Sequence, residues 1–246
     1  MASKHITYDK TGHIAYIKLN HPEARNAINR AMAEQLADVC QKINQDDDVR
    51  VAVITGEGDY FSSGETENET ASAMASSAVA SLKYPVIAML NGDAISSGLE
   101  LALACDIRLA LKESHLGFPE VASGKIPSGG GTQRLPRIVG RGKALELILT
   151  GEIIDSTQAW EIGLINRVYS PSELPSETDN LANKLLSKGP VAERYAKEAI
   201  SKGMDMTIGQ GLRLEADLSF ILQSTRDRTE GIEAFLQKRA PEFKGE

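Results

Sequence analysis

The sequence is poor in cysteine, in basic charge and in long apolar runs. Its 246 residues contain two cysteines, Cys40 and Cys105, which stand far apart. This usage fits a reducing compartment better than a disulfide framework, and the cytoplasm is the default expectation. No apolar run approaches the ~20 residues of a membrane span, and the N-terminal residues lack the apolar core of a signal peptide. We therefore expect a globular protein without a membrane anchor or secretory leader.

The shortage of basic charge bears on the class of ligand. Lys and Arg number 27 against 34 Asp and Glu, which gives a net charge of −7, and no Lys/Arg run stands out. A broad nucleic-acid-binding face is therefore not expected. An anionic small ligand remains compatible with this balance, because helix N-termini and a few local basic groups suffice to bind it.

Several familiar sites are also absent from the sequence. It has no Gly-x-Ser-x-Gly elbow, no His-Glu-x-x-His and no paired Cys-x-x-Cys, so a dedicated metal site is not predicted. Gly56-x-Gly58 continues to Phe61 where a dinucleotide fingerprint needs another glycine, and the glycine triplet 129–131 is not a P-loop. Nucleotide binding by a standard motif is therefore not predicted.

The composition, 41% hydrophobic and 25% charged, is that of an ordinary globular α/β protein. Alternation predicts an N-terminal hairpin that turns at residues 10–12, and Asn29 is a plausible N-cap for a helix over 30–44. Branched apolar runs predict buried strands over 49–55 and 86–90. Helices are predicted over 142–149, 156–162, 174–187, 191–202, 207–224 and 229–239, with a strand-like interruption over 164–169. This order suggests a layered core with a helical appendage, a common place for subunit contacts.

The stretch from Asn91 to Asp106 has the layout of an acyl-activating site. Asn91-Gly92 ends the buried strand, Ser96-Ser97-Gly98 follows, and an apolar helix then carries a single acid, Glu100. Burying a carboxylate among apolar residues costs free energy unless a partner binds it. The backbone N–H groups at the helix start lack intrahelical partners and can face developing negative charge. The alternative is an acid that only complements the helix dipole.

A second acid, Glu120, lies in the apolar segment 116–121. Pro119 before it cannot donate a ladder hydrogen bond, which indicates a strand end or turn that aims Glu120. Two acids on separate elements can share one water, one taking its proton and the other handing a proton to carbon. The alternative for Glu120 is a turn acid paired to Lys125 or Arg134.

Taken in order, these motifs resemble the crotonase superfamily, the enoyl-CoA hydratase/isomerase family, over nearly the whole chain. The segments that carry the resemblance are 21–29 (HPEARNAIN), 61–64 (FSSG), 91–106, 118–120 with 126–135, and 230–239. The resemblance implies an α/β fold, a crotonase-like spiral of ββα turns with a C-terminal helical trimerisation region. Residues 1–190 would form the spiral core with the active site, and 191–246 the helical oligomerisation region of a homotrimer or dimer of trimers.

The resemblance also implies a reaction. The substrate would be an acyl-coenzyme A thioester, with no cofactor besides, and its carbonyl would lie in an oxyanion hole made by the backbone amides of Ser63 and Ser97. Hydratases of this family use two glutamates, and Glu100 and Glu120 match both. This favours addition of water across an α,β-double bond, or the reverse dehydration. The alternatives are an isomerase or decarboxylase of the same fold, or a non-catalytic binding member, including RNA-binding ones.

Further positions follow from the resemblance alone. Coenzyme A would bind near Arg25, Ala27, Gly64 and Thr66, and near Phe235 and Lys238 of a neighbouring subunit. Helix core is the alternative for Phe235, and a solvated face for Lys238. Ser128 stands where a glycine amide often helps position the water. Ser97 likewise replaces a glycine of the family. The segment after Gly64 is unusual in sequence and shorter than in most members, so an unusual acyl group is plausible.

Overall fold

The structure, a computed structural model, describes residues 4–64 and 69–246. Within these ranges it has ten strands: β1 (Ile6–Thr11), β2 (Ile14–Leu19), β3 (Val51–Gly56), β4 (Tyr60–Ser62), β5 (Val86–Leu90), β6 (Asp93–Ile95), β7 (Ile107–Leu111), β8 (His115–Gly117), β9 (Ile153–Asp155) and β10 (Arg167–Tyr169). The helices described are α1 (Arg30–Gln45), α2 (Glu69–Ala80), α3 (Ser97–Leu103), α4 (Gly131–Val139), α5 (Arg141–Thr150), α6 (Ser156–Glu161), α7 (Leu174–Leu186), α8 (Pro190–Gly203), α9 (Ile208–Leu222) and α10 (Arg226–Gln237). The predicted hairpin and the longer predicted helices and strands are confirmed.

The larger sheet has the strand order β1-β2-β3-β5-β7-β10. The β1–β2 pair is antiparallel and the other pairs are parallel. Successive side chains of β3 face opposite sides: Ala52 and Ile54 enter the core that includes α1, whereas Val51 and Val53 enter the core that includes α7. A strand covered on both faces has apolar residues at every position, which explains the continuous apolar run in the sequence.

Helix α1 forms because its apolar residues recur at helical spacing. Met32, Leu36, Cys40 and Ile43 lie on one buried face. The Asn29 side chain accepts a hydrogen bond from the Met32 amide at 2.9 Å, so the predicted N-cap is confirmed.

A second, smaller sheet of short strands has the order β4-β6-β8-β9. The pairs β4–β6 and β6–β8 are parallel, so the carboxyl ends of these three strands meet at one edge. Three loops therefore lie side by side there: residues 63–64 after β4, 96–97 after β6, and 118–120 after β8. These loops hold four of the predicted site residues: Ser63, Gly64, Ser97 and Glu120.

The helices from α8 onward follow the last strand. Pro190, the first residue of α8, marks the predicted end of the spiral core, and the division at 190/191 stays a prediction. Lys197 of α8 donates to Asp106 at 2.7 Å and to the Tyr84 carbonyl at 2.8 Å, which fixes α8 to the larger sheet. No helix in the described part of the chain has both the length and the apolar character that crossing a membrane requires.

Candidate active site

Glu100 lies on α3 with its carboxylate inside the protein, at 1% exposure. One oxygen, Oε1, accepts hydrogen bonds from the Gly129 amide at 2.6 Å and the Gly131 amide at 2.9 Å. The other, Oε2, accepts one from the Ser72 hydroxyl at 2.6 Å. These donors offset the cost of burying the charge. The contacts go beyond those of an acid that only complements the dipole of its own helix.

The glycine triplet allows a helix N-terminus to reach this carboxylate. Gly131 is the first residue of α4, and Gly130 before it has φ +106°, a conformation that favours glycine. A Cβ on Gly129 would overlap the Ser72 hydroxyl and lie 2.6 Å from Glu100 Oε2. The amides of Gly129 and Gly131 and the positive end of the α4 dipole therefore all face Glu100.

Glu120 lies in a 3-10 helix, Pro119–Ser123, directly after β8. The Ser96 hydroxyl donates to Glu120 Oε1 at 2.7 Å. The two residues considered as alternative partners act differently in this structure: the Arg134 guanidinium donates to the Gly129 carbonyl at 2.8 Å, and the Lys125 backbone amide donates to the Glu120 carbonyl at 3.0 Å. Burial lowers the pKa of Arg134, while the charge of Glu100 raises it. Ser96 thus donates a hydrogen bond to the Glu120 side chain.

The start of α3 is the candidate oxyanion site. Ser96, the N-cap residue, makes no capping hydrogen bond with its side chain. The amides of the first turn, beginning with Ser97, therefore receive no cap from it. The Ser97 hydroxyl donates to the Gly64 carbonyl, which ties the loop after β4 to the start of α3.

The prediction for Ser63 does not fit this geometry. Its N–H donates to the Arg25 carbonyl at 2.9 Å, so this amide is already used within the protein. The physical reason is that the loop containing Arg25 packs along β4.

Asn26 builds the loop that carries Arg25 and Ala27. It is fully buried with φ +55°, and its side-chain amide donates to the Tyr60 carbonyl at 2.8 Å and to the Glu57 carbonyl at 2.9 Å. The Arg25 guanidinium lies 5.2 Å from the centre of the Tyr60 ring. Arg25 and Ala27 are thereby brought beside the loop at 63–64.

The remaining predicted positions are spread more widely. Ser128 is exposed beside Gly129, and Gly64 is buried against Ile95 and Ser96. Thr66 lies outside the described residues. On α10, Phe235 is 82% exposed, which excludes helix core within one chain, and Lys238 is the exposed C-cap.

Sequence reasoning missed the two serines that bind the glutamates. Ser72 lies on α2, a helix of small residues whose pattern carried no signal beyond its helical spacing. From the sequence, Ser96 can be assigned only to a loop, since a serine before a helix is normally its cap. No group of three or more histidine, cysteine or acidic residues suited to a metal ion was found within residues 4–64 and 69–246.

Comparison with known proteins gives a consistent result. The sequence profile of the enoyl-CoA hydratase/isomerase family matches residues 9–246. A crotonyl-CoA hydratase of Syntrophomonas wolfei is 37% identical over 257 residues, covering 99% of both chains. A 2,3-dehydroadipyl-CoA hydratase of Escherichia coli is 38% identical, covering 94% of this chain and 95% of its own.

The fold is also similar to solved structures. The crystal structure of an enoyl-CoA hydratase from Bacillus anthracis has a TM-score of 0.94 and 38% identity, covering 99% of this chain and 100% of its own. This agreement over the full length confirms the predicted fold class.

Proposed function

The chain belongs to the enoyl-CoA hydratase/isomerase family, and we propose that it is a hydratase whose two glutamates add water across the α,β-double bond of an acyl-CoA thioester. The observation that carries this proposal is that both glutamates lie beside the start of α3, each held by a serine hydroxyl. The reverse reaction, dehydration, uses the same groups.

The thioester carbonyl is polarised at the start of α3. The Ser97 amide is one donor, and the second is the amide of Gly64 or of a residue after it, because the Ser63 amide is used by Arg25. As water adds, negative charge develops on the carbonyl oxygen, and fixed N–H groups stabilise it without reorganisation. Removing one such donor typically costs on the order of 10²–10³ in rate.

Glu100 serves as the base in this proposal. An ionised carboxylate has about four acceptor positions. Three of them are filled by Ser72, Gly129 and Gly131, so about one remains for the reacting water. Glu100 takes a proton from that water as its oxygen bonds to the β-carbon.

Glu120 supplies the proton at the α-carbon. The electron pair of the double bond moves to the thioester oxygen to form an enolate, and its return to the α-carbon takes the proton from Glu120. One water is consumed, with its oxygen on the β-carbon and a proton on the α-carbon. Afterwards Glu100 holds the proton that Glu120 lost, and exchange between them restores the starting state.

Coenzyme A is part of the substrate, and the proposed chemistry uses no further cofactor. Its adenine end would lie near Arg25, Ala27 and Gly64, with Ser128 near the water; a contact with Thr66 is expected from the family resemblance alone. The exposed side chains of Phe235 and Lys238 would contact the coenzyme of another subunit. For the compartment, two buried free cysteines fit the reducing cytoplasm.

A homotrimer, or a dimer of trimers, is the proposed assembly. Large apolar side chains are exposed on the last helices, including Ile208 at 81% and Phe220 at 74%. Such exposure in one region indicates a surface that is covered by another chain. Light scattering on the purified protein should give three or six times the chain mass of 26.5 kDa.

Hydration of crotonyl-CoA and of bulkier enoyl thioesters tests the reaction. Glu100→Gln and Glu120→Gln should each lower kcat by about 10²–10⁴-fold, the range for losing a general acid or base. Glu113→Gln, which changes an exposed glutamate near β8, should leave turnover unchanged. Unaltered turnover in both active-site variants, or double-bond migration without incorporation of water, would overturn the proposal.

A further inference from the structure

We propose that Ser96 is a positioning residue that fixes the carboxyl group of Glu120 for proton transfer, an assignment that rests on the proposed hydratase function. Its hydroxyl donates to Glu120 Oε1 at 2.7 Å. Ser96 itself is 8% exposed, so solvent competes little for this bond.

The backbone of Ser96 is fixed from two directions. Its amide donates to the Gly117 carbonyl at 2.9 Å, at the end of the strand that leads to Glu120. Its carbonyl accepts from the Glu100 amide at 3.0 Å within α3. The residue thus connects the element that carries Glu100 with the one that carries Glu120, and its hydroxyl is held at a fixed place between them.

The Ser96 hydroxyl does not make the capping hydrogen bond that is usual for a serine at a helix N-cap. An N-cap serine normally accepts a hydrogen bond from an amide of the first helical turn. Ser96 makes no such bond, and its hydroxyl faces Glu120 instead. One side chain therefore serves both parts of the site, since it orients the acid and leaves the α3 amides uncapped for the thioester oxygen.

The backbone conformation supports a functional reason for serine here. Ser96 has φ +55° and ψ −126°, a region that glycine adopts easily and a residue with a Cβ adopts only under strain. A glycine would relieve the strain but could not bind Glu120. Backbone strain of this kind is concentrated at active sites, where the surrounding structure enforces it.

Three substitutions at this position separate the hydroxyl from the backbone. Ser96→Ala keeps the strain and loses the hydrogen bond, Ser96→Gly loses both, and Ser96→Thr keeps the hydroxyl. We expect Ala and Gly to lower kcat for crotonyl-CoA by about 10-fold, with KM within about twofold, because the acid is present but no longer oriented. Threonine should restore most of the lost kcat.

Thermal unfolding gives a readout that is independent of turnover. Ser96→Gly should unfold at a temperature about 2–4 °C higher than Ser96→Ala, because only glycine relieves the strain. Ser96→Gly should therefore have the same low kcat as Ser96→Ala although it is the more stable variant. A purely structural role would instead make kcat follow stability. Ser114→Ala is the matched control, since Ser114 is also buried but its hydroxyl has no partner in the described structure.

Glu120→Gln, measured in parallel, separates a failure of the Ser96 assignment from a failure of the proposed hydratase function. If Glu120→Gln abolishes turnover while Ser96→Ala and Ser96→Gly keep kcat within twofold of the parent, the role of Ser96 is overturned and the hydratase function stands. If Glu120→Gln itself has no effect, or the parent hydrates no enoyl thioester, the proposed function fails and this assignment with it.

Discussion

The hydrogen bond from Ser72 to Glu100 gives a quantitative prediction. Ser72→Ala removes one of the three donors that hold a carboxylate of 1% exposure. Hydrogen bonds to charged groups contribute about 1.5–3 kcal/mol, and a buried acceptor that loses its donor has no water to replace it. We therefore expect Ser72→Ala to lower the free energy of unfolding by about 1.5–3 kcal/mol.

Ser76 provides a control on the same helix. It lies one turn after Ser72 and is equally buried, but its hydroxyl has no hydrogen-bond partner in the described structure. Ser76→Ala removes the same atom without removing a bond, so it should leave stability unchanged or raise it by up to about 1–3 kcal/mol. Loss of helix propensity cannot account for a difference, because both substitutions introduce alanine into α2.

Chemical denaturation measures this difference directly. Parent and variants should be compared at one protein concentration, since assembly makes apparent stability depend on concentration. Turnover of crotonyl-CoA should fall about 10-fold in Ser72→Ala, where Glu100 is less well oriented, and stay at the parent value in Ser76→Ala. Equal unfolding free energies for the two variants would refute the view that the bond to Ser72 stabilises the buried carboxylate.

Three further predictions concern other parts of the molecule. Burial raises the pKa of Glu193 from 4.5 to about 7. Its contribution to stability is therefore full below about pH 4.5 and is lost as the pH rises through about 7. A Glu193→Gln variant should show a flatter dependence of Tm on pH over this window, and an unchanged slope would contradict the raised pKa. Gly129→Ala should abolish most turnover, because the added methyl group would push into the Glu100 carboxylate. Gly142→Ala should be tolerated, because a Cβ there meets open space. Equal kinetics for the two variants would contradict the role of Gly129. Burial raises the pKa of both cysteine thiols to about 12, so a thiol reagent should modify them only after unfolding, and rapid modification of the native protein would be the opposite result.

The sequence by itself determined the larger elements and the identity of the two acids. The continuous apolar run at 51–54 specifies a strand buried on both faces, and helical spacing from Met32 to Ile43 specifies one face of α1, because burial acts on every repeat of such patterns. The glutamates at 100 and 120 could be selected because a lone acid in an apolar segment needs a partner. These features are local, and so they can be read from neighbouring residues.

The second sheet and the hydrogen bonds of the site were decided only by the tertiary structure. Strands β4, β6 and β9 have three residues each, too few for a period to be recognised. The partners of Glu100 are separated from it by 28 to 31 residues, and Ser96 is 24 residues from Glu120. The Ser63 amide is bound by the Arg25 carbonyl only because the loop at Arg25 packs along β4. A hydrogen bond depends on where two distant segments meet, and that meeting is fixed by the packing of the sheets and helices around them.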